Sequence, residues 1–163
     1  MAEIKLIRAD FRLIHGQVIT RWTKEVKIDE IVVINDILSK DEFLSSIYVM
    51  AAPPSINVRI YSVDAAVEAW NDNKMGDGKL MILFKNVEDA MKALKAGFPI
   101  DVFQIGGLGG GGGRKNVMGP ITFDNKDAQL LKEMQDRGTH VYLHVLPDEP
   151  KMELEKALEK FYI

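Results

Sequence analysis

The run Ile7-Arg8-Ala9-Asp10-Phe11-Arg12-Leu13-Ile14-His15-Gly16-Gln17-Val18 combines the clearest structural signal of this chain with its most reactive side chain. The apolar segment 4–7 predicts a buried strand, and the segment 16–26 predicts a helix. In an open α/β sheet, the loop from a strand to the next helix binds anionic ligands, because the helix start offers unpaired N–H groups and a positive dipole end. A histidine in that loop can act as a nucleophile that carries a phosphoryl group.

Length and composition indicate an ordinary globular protein. The chain has 163 residues, 47% hydrophobic and 28% charged residues, and a net charge of −3, so we expect one domain over residues 1–163. The charge argues against nucleic-acid binding, which usually shows as a basic stripe. The absence of cysteine excludes disulfides and thiolate metal sites. No signal peptide is visible and no apolar run approaches the roughly 20 residues of a membrane span, so we expect a cytoplasmic protein.

Short apolar segments alternate with helical segments along the rest of the chain. Strands are expected at 31–34, 58–61, 80–84, 101–105, within 116–123 and at 139–146, and helices at 40–51, 63–70, 87–94, 126–137 and near the C-terminus. This alternation predicts a single-domain α/β fold with an open, mainly parallel β-sheet and helices on both faces. Because parallel strands share one carboxyl edge, His15 should lie on the same rim as Asn35, Asp36 and the glycine loop 106–113.

Four stretches of the chain resemble one protein family. Arg12-Leu13-Ile14-His15-Gly16-Gln17-Val18 is similar to the phosphorylation-site signature of the IIB component in the mannose/fructose/sorbose family of bacterial phosphotransferase systems. The similarity continues in the same order through 32–36 with 41–43, through 50–54, and through 105–107 with 113–115. It therefore spans nearly the whole chain. Phe11 stands where the family usually has an acidic or polar residue, and Gln104 stands where it usually has asparagine.

The resemblance implies a phosphocarrier with sugar phosphotransferase activity and no cofactor. A IIA protein would give its phosphoryl group to His15, at Nδ1 of the ring. His15 would then pass the group to a sugar of the mannose, fructose, sorbose or amino-sugar type that enters through the membrane subunits IIC and IID. The protein would accordingly lie in the cytoplasm, bound at the inner face of the membrane through IIC and IID.

The residue types around His15 support phosphoryl transfer independently of the resemblance. Imidazole is nucleophilic and largely neutral near pH 7. Arg12 can offer a planar fork of donors to phosphoryl oxygens, and Asp10 can hold either Arg12 or the second ring nitrogen. The candidate catalytic residues are His15, Arg12 and Asp10, and the candidate phosphate- or partner-binding residues are Arg8, Phe11, Gly16, Gln17, Asn35, Asp36, Gly106 and Gly107.

Several of these residues also have purely structural interpretations. Arg8 can be a strand-end charge, the pair Asn35-Asp36 can form a plain turn, and Phe11 can be either an exposed partner anchor or a core residue. His140 and His144 alternate with Tyr142 on one face of a strand. Zinc binding there would need further ligands, so no metal site is predicted.

The glycine run leaves two other functions open. Gly107, Gly109 and Gly112 satisfy G-x-G-x-x-G after a predicted strand, but the segment 114–118 does not have the pattern of the helix that a dinucleotide site needs. A nucleotide-binding α/β module that uses the loop Gly106–Gly113 is the first alternative. The second is a regulatory homologue that transfers no phosphoryl group.

Overall fold

The computed structural model describes residues 1–163 and is organised around one open sheet. The strands are β1 Glu3–Asp10, β2 Glu30–Ile34, β3 Asn57–Tyr61, β4 Lys79–Phe84, β5 Val102–Gly107, β6 Lys115–Met118, β7 Ile121–Phe123, β8 His140–Leu143 and β9 Met152–Glu153. The helices are α1 Gly16–Val26, α2 Glu42–Ala51, α3 Val63–Asn73, α4 Val87–Lys95, α5 Asn125–Asp136 and α6 Leu154–Leu158, with a 3-10 turn at Leu38–Lys40.

The sheet has seven strands in the order β3-β2-β4-β1-β5-β8-β9. All pairs are parallel except that β9 runs antiparallel to β8 at one edge. Strands β6 and β7 form a separate antiparallel hairpin. This is the open, mainly parallel α/β sheet that the sequence predicts, with β1 near its centre between β4 and β5.

Strict alternation in the central strands creates two hydrophobic cores. In β4, Leu80, Ile82 and Phe84 face the larger core, which also holds the buried residues of α3 to α6. The neighbouring Met81 and Leu83 face the smaller core, which includes α1 residues and contacts α2. Helices therefore cover both faces, as predicted. In β1, Arg8 and Asp10 point to the α1 side, because residues two apart in a strand share a face.

The structure departs from the sequence prediction at several element boundaries. Helix α3 continues to Asn73, beyond the predicted end at 70, and ends where Lys74 adopts a left-handed φ of 54°. Helix α2 begins at Glu42 because Asp41 caps it, its carboxylate accepting from the Leu44 N–H at 2.9 Å. The segment 116–123 contains two short strands where one was predicted, and β9, at two residues, is too short to produce a recognisable pattern.

The start of α3 can be tested through Ser62, the residue that caps the helix. The Ser62 hydroxyl accepts a hydrogen bond from the Ala65 N–H at 3.1 Å. Ser62→Ala should lower the free energy of unfolding by about 1 kcal/mol, because a helix N–H then loses its partner. The control is Ser46→Ala on exposed α2, which should be neutral or slightly stabilising since alanine favours helix interiors. Equal losses in chemical denaturation of both variants would contradict the capping role.

Candidate active site

The loop 11–15 connects β1 to α1 and holds His15 immediately before the helix. The Leu13 N–H donates to the Asp10 carbonyl at 2.9 Å, which closes a tight turn. Leu13 has a positive φ of 56°, and its side chain is buried together with that of Ile14. These two apolar anchors hold the backbone from which His15 projects.

Both ring nitrogens of His15 face hydrogen-bond acceptors. Nδ1 lies 2.9 Å from the Leu13 carbonyl oxygen, and Nε2 lies 3.8 Å from Oδ2 of Asp10. The side chain is 23% exposed, and Nε2 is buried without a hydrogen-bond partner. A carbonyl oxygen can only accept, so Nδ1 carries a proton in this arrangement and the lone pair of a neutral ring lies on Nε2. Transfer at Nδ1 therefore requires the hydrogen bond to Leu13 to break.

Asp10 is the electrostatic centre of the site. Its carboxylate is 1% exposed and accepts from the Arg12 backbone N–H at 3.0 Å, from Arg12 Nε at 3.1 Å and from Arg12 Nη2 at 3.2 Å. Arg8 Nη2 donates to Oδ2 of the same carboxylate at 3.4 Å. Two guanidinium groups against one carboxylate leave an excess of positive charge beside His15, which favours an anionic phosphoryl group.

The two arginines occupy different environments. The Arg12 side chain is 32% exposed, and its guanidinium lies 5.5 Å from the centre of the Phe11 ring. It can therefore meet an incoming group from solvent. Arg8 is fully buried, with 0% of its side chain exposed. The prediction that Arg8 contacts phosphate or a partner is thus corrected, because its guanidinium does not reach the surface.

Phe11 lies at the surface of the loop. It is 36% exposed, its N–H donates to the Gly107 carbonyl at 3.0 Å, and its ring packs against Gly109. Of the two alternatives for Phe11, the structure favours exposure over a core position. An aromatic side chain of the loop that carries His15 is thus available to a partner.

The start of α1 faces the same edge of the sheet. His15 is the residue that precedes the helix, and its side chain makes no capping hydrogen bond. Gly16 adopts a φ of 41°, and no atom lies within 4 Å of the position that a Cβ would occupy there. Gly16 and Gln17 are both exposed. The first helical N–H groups, with no acidic residue in the first turn, can therefore meet an anion.

Asn35 lies at the end of β2, which is separated from β1 by β4. Its Oδ1 accepts from the Leu38 N–H at 2.8 Å, and its Nδ2 donates to Asp89 at 3.1 Å. Asn35 does line a cavity together with Phe11. Its carbonyl oxygen holds the turn after β2 and one amide N–H holds α4, so the structure gives Asn35 a local scaffold role.

Asp36 makes hydrogen bonds to two helices through its carboxylate. Its Oδ1 accepts from the Val63 N–H at the start of α3 at 2.8 Å, and its Oδ2 pairs with Lys92 Nζ of α4 at 2.9 Å. The Val63 N–H, helped by the Lys92 ammonium, holds the pKa of the Asp36 carboxyl below its usual range. The structure thus gives Asp36 a structural role, and its predicted role in phosphate or partner binding stays a prediction.

The two glycines at the end of β5 accommodate the arginines. A Cβ at Gly106 would lie 2.0 Å from Cζ of Arg8, and a Cβ at Gly107 would lie 3.2 Å from Nη2 of Arg12. Their lack of side chains makes room for guanidinium groups, and their predicted role in phosphate or partner binding stays a prediction. The glycine run leads into strand β6, so the helix required by a dinucleotide-binding motif does not follow it.

Gln104 and Trp22 belong to this site although the sequence analysis did not place them there. Gln104 is completely buried, accepts from Arg8 Nη1 and donates to the Tyr142 hydroxyl at 3.1 Å. The Trp22 ring lies 5.3 Å from the Arg8 guanidinium carbon. The sequence signal that could have placed Gln104 at the site is the alternation of side chains along the strands. Gln104 lies opposite Arg8 in the pairing of β1 with β5.

The remaining histidines are His140 in β8 and His144 directly after it. His140 pairs with Glu153 at 2.9 Å, and His144 Nε2 lies 2.9 Å from the Glu149 carbonyl oxygen. Both rings lie beside Tyr142, as the alternation predicts. No group of three or more His, Asp or Glu side chains is arranged to hold a metal ion. None of the helices is long and apolar enough to cross a membrane.

Comparison with known proteins reveals one consistent family. Residues 4–162 match the family model of the PTS system sorbose subfamily IIB component. The sorbose-specific EIIB component of Lacticaseibacillus casei is 30% identical over 98% of this chain and 97% of its own length. The mannose-specific EIIAB component of Escherichia coli K12 is 30% identical over 96% of this chain. The chain spans about half of that relative, 49% of its length.

Solved structures show the same architecture. The crystal structure of manxB from Thermoanaerobacter tengcongensis superposes with a TM-score of 0.93 and 36% identity, covering 100% of this chain and 99% of that chain. The IIBSor domain of the sorbose permease from Klebsiella pneumoniae gives a TM-score of 0.92 and 31% identity, covering 99% of both chains. The fold and the sequence family therefore agree.

The structural role of Asp36 predicts a pH-dependent stability. Asp36→Ala should lower the free energy of unfolding by about 1 kcal/mol at neutral pH, because the Val63 N–H and Lys92 lose their acceptor. The folded-state pKa lies below the unfolded value. The Asp36 contribution is therefore full above the unfolded pKa and is lost as the pH falls through the folded pKa.

Urea denaturation at neutral and acidic pH measures this difference. The difference in the free energy of unfolding between the wild type and Asp36→Ala should become smaller at acidic pH. The control is Asp77→Ala, whose carboxylate is 97% exposed and pairs only with the N-terminus, so it should change stability little. A gap that stayed constant with pH would contradict the assigned role.

Proposed function

The chain belongs to the sorbose subfamily of IIB components of the sugar phosphotransferase system, and on that premise we propose that His15 is its phosphoryl carrier. IIB components of this kind take part in phosphoryl transfer to sugars. The observation that carries the assignment is a partly exposed histidine beside a buried carboxylate that holds two arginines, directly before a helix start. Residues 1–163 would form one IIB domain.

The proposed reaction has two transfers. In the first, the lone pair of an unprotonated His15 nitrogen attacks the phosphorus of a phosphohistidine on the IIA partner. The P–N bond to the donor breaks, and its electron pair returns to the donor ring. In the second, a sugar hydroxyl attacks the same phosphorus and the His15 N–P bond breaks. The electron pair of that bond returns to the His15 ring, and the released ring nitrogen accepts the hydroxyl proton. The protein is thus a phosphohistidine-to-sugar phosphotransferase that needs no cofactor.

Asp10 and Arg12 support this chemistry by orientation and charge. Phosphoryl transfer depends chiefly on positioning and on stabilising the charge of the equatorial oxygens. Asp10 fixes the Arg12 guanidinium through Nε and Nη2, while Nη1 makes no hydrogen bond to the protein. Arg12 can therefore direct that free edge to a phosphoryl oxygen without giving up its bonds to Asp10.

The ring geometry indicates how Nδ1 becomes available. When the proton is on Nε2, the Nε2–H group can donate a hydrogen bond to the Asp10 carboxylate, since Nε2 and Oδ2 of Asp10 already lie 3.8 Å apart. Nδ1 then has no proton to donate to the Leu13 carbonyl, and its lone pair is free because a carbonyl oxygen cannot donate a hydrogen bond to it. Leu13 favours the Nδ1–H tautomer and Asp10 favours the Nε2–H tautomer, so docking of a phosphodonor needs only to change the balance between them.

We assign the partners and the sugar class from the relatives. Named relatives are specific for sorbose, mannose, fructose and N-acetylgalactosamine, so the substrate belongs to this group of sugars. A IIA protein would supply the phosphoryl group, and membrane subunits IIC and IID would present the sugar and hold the protein at the cytoplasmic face of the membrane. Exposed Phe11 and Ile37 line one cavity on the rim and offer apolar contacts to such partners.

The nucleotide-binding alternative has no comparable support. Its motif requires a helix after the glycine run, and the structure has strand β6 there. A non-transferring regulatory homologue would lack phosphate on His15, which the following experiment measures.

Phosphorylation of His15 tests the proposed function directly. The wild type, incubated with the general phosphotransferase relay and a matching IIA, should acquire one acid-labile, base-stable phosphate per chain. His15→Ala should acquire none, because the nucleophile is absent. His140→Ala and His144→Ala are matched controls from β8 and its end, and both should be labelled like the wild type. Phosphate retained in folded His15→Ala would disprove the assignment.

Arg12 should determine the rate of transfer. Arg12→Lys retains the charge but loses the planar fork, so single-turnover transfer from phosphorylated IIA should slow by about tenfold or more. Arg12→Ala should be slower still, with thermal stability measured to confirm folding. Arg21→Lys on α1 is the control, since Arg21 is surface-exposed and pairs with Asp148. Wild-type rates in both Arg12 variants would rule out a role in transfer.

A further inference from the structure

Arg8 is buried beneath the active loop and joins three segments of the chain. Its Nη1 donates to Gln104 Oε1 at 2.5 Å and to the His144 carbonyl at 2.8 Å. Its Nη2 donates to the Val145 carbonyl at 3.0 Å and to Asp10 Oδ2 at 3.4 Å. Only Nε lacks a partner. The guanidinium thus connects β1, β5 and the segment after β8 at the point where Asp10 begins the loop.

The space around Arg8 is shaped for a guanidinium group. The Trp22 ring lies 5.3 Å from Cζ, and its Nε1 donates to the same Val145 carbonyl that accepts from Arg8. A Cβ at Gly106 would lie only 2.0 Å from Cζ of Arg8. Even alanine at position 106 would therefore displace the guanidinium.

An arginine in this position is costly for stability alone. Removing a charge from water carries a large penalty, and apolar side chains of similar volume often stabilise such sites better. Burial lowers the pKa of Arg8 to about 10, which leaves the group protonated at neutral pH. The side chain therefore contributes a permanent buried cation, and the charged group it touches is the Asp10 carboxylate.

We propose that Arg8 is a positioning residue for phosphoryl transfer, acting through Asp10. This inference rests on the proposed function of His15. Arg8 donates a hydrogen bond to Oδ2 of Asp10 from the buried side of the carboxylate. Arg12 donates to Oδ1 and Oδ2 of the same carboxylate from the loop. Without Arg8, the buried carboxylate has a single cationic partner. It is then free to turn with Arg12, and Arg12 loses its fixed direction toward the phosphoryl group.

The first part of the experiment compares Arg8→Met with Arg8→Lys. Methionine fills the space without charge, whereas lysine keeps the charge without the fork. Single-turnover transfer should be slower by about tenfold or more in Arg8→Met, as expected for loss of a hydrogen bond to a charged group, and partly recovered in Arg8→Lys. Both proteins should still reach one phosphate per folded chain. A pure packing role predicts the opposite order, with methionine equal to or better than lysine.

A second pair of variants tests the same position without altering Arg8. Gly106→Ala should displace the guanidinium and slow transfer to a similar extent. Gly78→Ala is the matched control, because a Cβ there meets its neighbours at 3.8 Å or more, and its rate should equal the wild type. If Gly106→Ala fails to fold, Gln104→Met replaces it. This variant removes the acceptor of Arg8 Nη1 and should slow transfer to an intermediate extent.

A spectroscopic readout separates this inference from the proposed function. The Arg12 Nε–H, bonded to Asp10 at 3.1 Å, should give a proton NMR signal protected from exchange in the wild type. Arg8→Met should lose that protection, whether or not His15 accepts phosphate. Retained protection, or a wild-type rate constant in folded Arg8→Met, overturns the positioning role. A wild type without phosphate on His15 overturns the proposed function, while the NMR comparison still decides the role of Arg8.

Discussion

The structure of the site depends on one buried carboxylate shared by two arginines. Asp10 is almost inaccessible to water, so its charge requires the guanidinium groups of Arg8 and Arg12. That requirement explains the glycines at 106 and 107, which leave room for the two cations. It also explains why the loop that carries His15 has a defined conformation, since the Arg12 backbone N–H is bonded to the same carboxylate.

The sheet topology places Asp10 and its two arginines at an edge where a second protein can reach His15. Strand β1 lies between β4 and β5, and its loop leads to α1. The segment after β4 leads to α4 on the opposite face, and the segment after β5 reaches α5 on that face only after the hairpin of β6 and β7. The carboxyl ends of these strands therefore leave an open edge. His15 stands on that edge, so a second protein can reach it, which the proposed role as a phosphoryl carrier requires.

Sequence reasoning predicted the fold and the location of the reactive loop because both depend on local patterns. Apolar alternation and a helix cap such as Ser62 are readable without coordinates, and α1 was predicted with its observed bounds. The burial of Arg8 and the use of Asp36 were not predictable. Each depends on which distant strands become neighbours, such as β5 beside β1, and on the space left by Gly106.

The central claim is that His15 carries the phosphoryl group from the donor to the sugar, and nuclear magnetic resonance of the phosphorylated protein tests that claim most directly. Coupling between phosphorus and ring nitrogens identifies both the residue and the nitrogen that bears the group. We expect a single phosphohistidine, at Nδ1 of His15, with the ring proton moved to Nε2 beside Asp10. A phosphate on His140, on His144 or on a carboxylate, with His15 unmodified, would contradict it.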